Sequence, residues 1–328
     1  MTGYIYLDTN VYNRIADNIA IPIFPGRFGH QWSSKFHLSP LNILEILQIE
    51  DDIRRETIVR ILQEVCAPDL LAEPEALLVD FIAEHTGLNS LTNLRLESPI
   101  SVSDLGATWK DIHSDSSKTF IFDERARTNI RQLKLLSKLL HAWHRSGGSF
   151  NAKPTGLFGN SRELSAAQIM ANIQQTIKTL KAKPISSNKS WPLNDSILIL
   201  SLCILIVGLT PFPHSIDKLW AALGIKKIED RISYVLTGPL NFVLSEGPLV
   251  GMATIMASQV SKSFSQGNLF DAFHITYLPY IGEMLTLDET LLSFARQYPK
   301  SPRYTKVQHA ESVLLKIFSD PIINPQSS

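Results

Sequence analysis

The chain has 328 residues, 44% of them hydrophobic and 19% charged, which is ample core material for one large domain or two smaller ones. Lys+Arg and Asp+Glu each number 31, so the net charge is zero. That balance excludes a bulk positive field of the kind that drives avid nonspecific nucleic-acid binding, and leaves any contact with a polyanion to a local patch. The two cysteines, Cys66 and Cys203, lie in apolar helical runs without metal-ligand spacing. They are expected to be buried, reduced thiols in a reducing compartment.

In chain order, Tyr4 to Leu7 are β-branched or aromatic and predict a buried strand, entered from the N-terminus with no basic region or hydrophobic signal core. Asp8, Thr9 and Asn10 supply N-cap chemistry for a helix through about Ala16. Pro22, Pro25, Gly26 and Gly29 mark a loop. Lys35 to Leu38 predict a second strand. Ser39-Pro40 is a helix start, with Leu41, Leu44 and Ile46 on the apolar side and Glu45 near the beginning. A further helix is expected over 54–65, and a third strand over Arg95 to Val102. Residues 103–250 read as mostly helical, with helices over Asp123–Arg145, Leu164–Leu180, Asp195–Leu209, Ile216–Leu223 and Ile228–Leu236. The apolar run Ile197–Leu209 is too short to span a bilayer and predicts a buried helix, which fits a cytoplasmic protein. After a helix over Leu249–Phe264, Leu269–Tyr277 carries Asp271 and His274 one turn apart, and Pro279 stops it. Glu283–Leu287 predicts a strand, Asp288 begins the last full helix, and Pro321–Ser328 is expected to be loose.

Four acids stand out: Asp8, Glu45, Asp271 and Asp288. A carboxylate at the carboxyl end of a buried strand sits where open α/β sheets place their ligand sites. Several brought together repel, and need a cation; hard oxygen ligands suit Mg²⁺ or Mn²⁺. Taken singly, each acid is better explained as a helix cap, since Asp8 and Asp288 both precede helices. Taken as a set, metal binding is favoured. A phosphatase that uses a strand-end Asp as nucleophile needs a second acid two residues later; that position holds Asn10, which cannot transfer a proton. His274 reads as an ordinary interior or surface histidine. There is no nucleophile elbow, Walker loop, zinc spacing or dinucleotide fingerprint.

The order of these pieces resembles the PIN domain family of metal-dependent nucleases. That family opens on a strand ending in Asp, then Ser or Thr, then Asn, as in Asp8-Thr9-Asn10. Glu45 matches its second acid and Asp271 its third. Thr286 and Asp288 match its Thr-x-Asp pattern. The resemblance implies a three-layer α/β/α fold with a mostly parallel central sheet, built from residues 1–102 and 250–328, with 103–249 as a mainly α-helical insertion. It implies Mg²⁺- or Mn²⁺-dependent endonucleolytic cleavage of RNA, with Asp8, Glu45, Asp271 and Asp288 as catalytic metal ligands and Asn10 and Thr286 orienting them. It also allows a protein inhibitor of the antitoxin kind, although this chain is much longer than the small toxins. The other function in view is a PIN-like scaffold or RNA- or protein-binding module with little or no nuclease activity.

The helix over 123–145 adds a basic stripe. Arg127, Arg131, Lys134, Lys138 and Arg145 recur near helical spacing, opposite Ile130, Leu133, Leu136, Leu140 and Trp143. A solvated face is the commoner outcome of such a pattern. In a neutral chain the stripe is nevertheless the best local candidate for RNA binding, through Arg127, Arg131, Lys134 and Lys138.

Overall fold

A computed structural model describes residues 5–18, 36–46, 48–67, 69–88, 124–145, 191–262, 268–278, 280–297 and 307–319. In chain order the elements are β1 (Ile5–Leu7), α1 (Thr9–Asn18), β2 (Phe36–His37), α2 (Pro40–Ile46), α3 (Asp52–Val65), α4 (Pro74–Thr86), α5 (Glu124–Arg145), α6 (Trp191–Val207), α7 (His214–Ala222), α8 (Ile228–Leu236), α9 (Pro248–Lys262), α10 (Asn268–His274), β3 (Glu283–Thr286), α11 (Glu289–Gln297), β4 (Val307–His309) and α12 (Glu311–Ser319). The fold is α/β, with one small parallel sheet and many helices among the described residues. The expected strand at 95–102, the helix at 164–180 and the loop at 21–29 lie outside the described residues.

The chain forms two compact units. The first comprises residues 1–73, 96–121 and 277–328; the second comprises 74–95 and 122–276. These boundaries differ from the expected division into 1–102 with 250–328 and 103–249. Residues 74–95 and 250–276 go with the helical unit. The reason is packing: α4 is buried at every position from Pro74 to Ala83, and it lies against α7, while α9 lies against α6. A helix buried on all sides, here including Glu75 and Asp80, needs elements around it rather than one face of a sheet.

The first unit is organised by a sheet of order β2-β1-β3-β4, parallel throughout. Ile5, Tyr6 and Leu7 pair with Glu283, Met284 and Leu285 on one side, and Ile5 and Tyr6 with Phe36 and His37 on the other. The strands are short, two to four residues each. Beyond β2, Ala67 N–H donates to Phe36 O and Leu71 N–H to Leu38 O, which covers that edge. β4 was not expected; it pairs with β3 from Met284↔Val307 to Thr286↔His309. Tyr6, Leu7, Phe36, Leu38, Leu41, Leu44, Met284 and Leu285 form the core beside the strands, all essentially without exposure. Cys66 is a buried free thiol. Burial pushes it up to about 12, against the opposing hydrogen bond with Tyr12 Oη.

The second unit is helical, and its centre is α6. This helix carries Ile199, Leu200, Leu202, Cys203, Ile204, Leu205 and Ile206, all buried. No single helix among the described residues is long and apolar enough to cross a membrane. The α6 terminus shows why it can end inside the unit. Gly208 takes φ 70° and its N–H bonds Ile204 O at 3.1 Å, the single bond of an αL ending, while Leu209 N–H reaches back to Cys203 O at 3.2 Å. Side chains meet further carbonyls at this end. Trp220 Nε1–H donates to Leu205 O at 2.6 Å, Arg231 Nη1–H to Ile206 O at 2.9 Å, and Asn129 Nδ2–H to Gly208 O at 2.8 Å. The Arg231 guanidinium lies 5.3 Å from the Trp220 ring centroid, so the two caps also brace each other. Cys203 is buried on this helix, and burial alone pushes its thiol up to about 12.

Trp220→Phe trades the fully buried indole for a smaller ring and leaves the Leu205 carbonyl without its N–H donor. The expected loss is about 2 kcal/mol, within the usual cost of an orphaned buried acceptor. Urea unfolding should show it as a lower midpoint at unchanged slope.

Candidate functional site

The site is assembled from the carboxyl ends of β1 and β3 and the starts of the helices that follow. β1 ends at Leu7 because Asp8 begins a helix start instead of a further ladder residue: Val11 N–H already bonds Asp8 O at 2.9 Å. Asp8 N–H still donates to Leu285 O at 3.0 Å, so its backbone is fixed to β3. Its side chain is 2% exposed. One carboxylate oxygen, Oδ2, accepts both Asn10 Nδ2–H and the Thr286 hydroxyl, each at 2.7 Å.

Thr286 is the junction of this group. Its single proton goes to Asp8, and its lone pairs accept from Asp288 N–H at 2.9 Å and Asn10 Nδ2–H at 3.3 Å. Asn10 Oδ1 in turn accepts Leu287 N–H at 3.1 Å. One hydroxyl and one amide therefore hold the end of β1 against the end of β3. Both residues were expected to orient the acids, and both touch Asp8.

Glu45 arrives from α2. The start of that helix has reciprocal capping: Ser39 Oγ accepts Asn42 N–H at 3.3 Å, and Asn42 Oδ1 accepts Ser39 N–H at 3.0 Å. Pro40 occupies the first helical position, where no N–H is needed. Ser39 Oγ also donates to Asn42 Oδ1 at 2.9 Å. Its proton is thereby used, so the 2.9 Å contact with Tyr6 Oη has tyrosine as donor. Asn42 Nδ2–H donates to Leu7 O at 3.2 Å and Thr9 Oγ1 at 3.0 Å. Thr9 Oγ1–H is hydrogen-bonded to Glu45 Oε2. A continuous chain thus runs Tyr6–Ser39–Asn42–Thr9–Glu45. A carboxylate oxygen of Glu45 lies within 4.8 Å of one from Asp8.

Burial holds the Tyr6 phenol well above its ordinary range, with the neighbouring Tyr277, Glu45 and Asp8 adding to the effect. The phenol therefore stays a neutral donor. The Tyr6 and Tyr277 rings lie 5.0 Å apart between centroids, an apolar wall behind the acids. The sequence did not single out Tyr6, Ser39, Thr9 or Asn42 as parts of a site. Ser39 was legible as a cap; nothing in the pattern shows that the cap also reaches β1.

The other two acids are differently placed. Asp288 caps α11: its Oδ1 accepts Thr290 N–H at 2.5 Å and Leu291 N–H at 2.9 Å. It is linked to the Asp8 group through Thr286. Asp271 belongs to the second unit. It is 8% exposed on α10, and Gln259 Nε2–H of α9 lies 3.4 Å from its Oδ2. His274, one turn later, is fully buried. On α5, Leu133, Leu136 and Leu140 are buried while Arg131 and Lys138 are exposed. Lys134 is held below its usual range by partial burial and then by Lys138. The side chains of Arg127 and Arg145 lie outside the described residues.

Asn42 is the member of this network with the most bonds. Asn42→Ala removes the partners of Thr9 and Leu7 and undoes the cap at Ser39. At about 1–3 kcal/mol for each buried polar group left unpaired, the expected loss is about 2–4 kcal/mol, read from urea unfolding.

No protein-family model matches the chain, and no curated protein or solved structure gives a significant match.

Proposed function

We propose that the chain is a PIN-like α/β/α protein with a helical second unit, and that it cleaves RNA endonucleolytically with the help of Mg²⁺ or Mn²⁺. One observation carries this reading. The buried Asp8 carboxylate, within 4.8 Å of the Glu45 carboxylate, is held by a neutral hydroxyl and a neutral amide. Two carboxylates this close repel, and a divalent ion between them relieves the repulsion. Carboxylate oxygens such as these suit a hard divalent ion.

In this reading Asp8, oriented by Asn10 and Thr286, Glu45, oriented by Thr9, and Asp288, which also caps α11, would hold the ion. The ion, when bound, supplies charge stabilisation at phosphorus and a water that is acidic enough to attack. Thr286 and Asn10 fix the carboxylate plane, the task that groups behind metal ligands perform elsewhere. Asp271 enters on the resemblance alone. The exposed Arg131 and Lys138, with Lys134 between, would supply a local phosphate contact in a chain with no net charge.

Asp8→Asn should lower Mn²⁺-dependent cleavage of RNA by roughly a thousandfold, at 1.36 kcal/mol per decade of lost ion-dependent stabilisation. Its melting temperature in EDTA should be equal to the parent's or higher, because a repulsion is removed. Thr286→Val should weaken Mn²⁺ binding by about 10–100-fold in calorimetry. A fully active Asp8→Asn protein, or a parent that binds no divalent ion at millimolar concentration, would leave the scaffold function as the better one.

Replacing Arg131, Lys134 and Lys138 together with Gln should weaken RNA binding and flatten its salt dependence by roughly 0.7 in slope for each phosphate no longer neutralised. Fluorescence anisotropy across a salt series measures both. A slope equal to the parent's would mark the stripe as a solvated face.

A further inference from the structure

We infer that His309, at the carboxyl end of β4, is a further positioning residue that donates a hydrogen bond to a phosphate flanking the one held at Asp8. This rests on the nuclease reading above, and it comes from a strand that the sequence did not reveal. β3 and β4 pair with Thr286 opposite His309. Asp8 N–H donates to Leu285 O, which carries the β1–β3 ladder one residue past Leu7↔Leu285 and sets Asp8 beside Thr286. Asp8, Thr286 and His309 therefore lie on one line across the carboxyl edge of the sheet. Residues in register on parallel strands share a face, as the bond between Asp8 and Thr286 illustrates. Two strand spacings, about 10 Å, separate the ends of that line. A stacked nucleic-acid strand crosses such a span in a few nucleotides, at a rise of roughly 3.4 Å each.

The ring is set up to donate outward. Glu311 N–H donates to His309 Nδ1 at 3.2 Å, so Nδ1 is the acceptor and the proton resides on Nε2. The Glu311 carboxylate is farther from Nδ1, at 3.8 Å, and the backbone contact has the better geometry for a hydrogen bond. The side chain is 38% exposed, unlike the buried Asp8 and Thr286 on the same line. A neutral N–H donor with a fixed tautomer, exposed in register with a carboxylate site, fits a phosphate oxygen. It adds an anion contact without a cation that would compete for the acids.

Three variants separate this role from simple capping of α12. His309→Ala removes the ring. His309→Asn and His309→Asp both keep an acceptor for Glu311 N–H, but only Asn can also donate. With an oligoribonucleotide, His309→Ala should raise KM about tenfold, the size of one hydrogen bond to a charged oxygen, with kcat nearly unchanged. His309→Asn should recover most of this affinity, and His309→Asp should be worse than Ala. With a dinucleotide carrying a single phosphodiester, all four proteins should share one KM. If Asn and Asp behave alike and both exceed Ala, His309 is a helix cap and the inference is overturned. The same holds if all variants match the parent on the long substrate while cleavage is intact. A parent chain that neither binds nor cleaves the oligoribonucleotide in Mn²⁺ overturns the nuclease reading and this contact with it.

Discussion

The first unit depends on the hydrogen bond from the Thr286 hydroxyl to the Asp8 carboxylate, made across 278 residues. It closes the inner strand pair of the sheet. It also stabilises a charge that burial would otherwise penalise. Removing a carboxylate from water costs several kcal/mol unless hydrogen bonds replace the hydration. Here a threonine hydroxyl and an asparagine amide converge on one oxygen. Thr286 also accepts the N–H of Asp288, so the same atom helps fix where α11 begins. Strand pairing, acid orientation and helix start share one side chain.

That dependence has consequences for folding. β1 pairs first in sequence with β2, some thirty residues on, but its other neighbour β3 begins at Glu283. Lengthening a flexible loop about ninefold adds roughly 2 kcal/mol of closure entropy, at about 0.6 kcal/mol per doubling. The intervening chain is not a flexible loop. Most of it builds the second unit, whose residues 122–276 form their own compact set with 74–95. Ordering of that segment on its own core removes much of the entropy that closing β1 on β3 would otherwise cost. The self-sufficient ending of α6, with its carbonyls met by Trp220, Arg231 and Asn129, is the kind of local satisfaction such independence needs.

How much of this was legible follows from the range of each interaction. β1, the cap at Ser39 and the helix start at Asp288 are local patterns, and all three are where the sequence put them. Both cysteines are buried as their apolar runs suggest, Cys203 within α6 and Cys66 as the residue that ends α3 beside Phe36. β4 was missed because Val307, Gln308 and His309 are too few to show alternation, and only Val307 of the three is buried. The compact units divide the chain at other points than the expected domains, because the neighbours that cover α4 are set by tertiary packing and not by local pattern. The Tyr6–Ser39 and Asn42–Thr9 bonds span 33 residues each, and no spacing rule reaches so far. Asp288 was visible both as a cap and as an acid; its Oδ1 bonds realise the cap.

The distinction between a carboxylate used for structure and one kept for a ligand can be drawn within this unit. Asp52 is paired with Arg55, which also donates to Ile49 O. There the charge is met by an opposite charge, and the acid's task ends with that pairing. Asp8 and Glu45 are met differently by the donors that orient them: Thr9, Asn10 and Thr286 are all neutral. A neutral donor fixes the direction of a carboxylate and leaves its negative field in place. The hydroxyls and the amide at Asp8 and Glu45 set direction, a task separate from charge neutralisation.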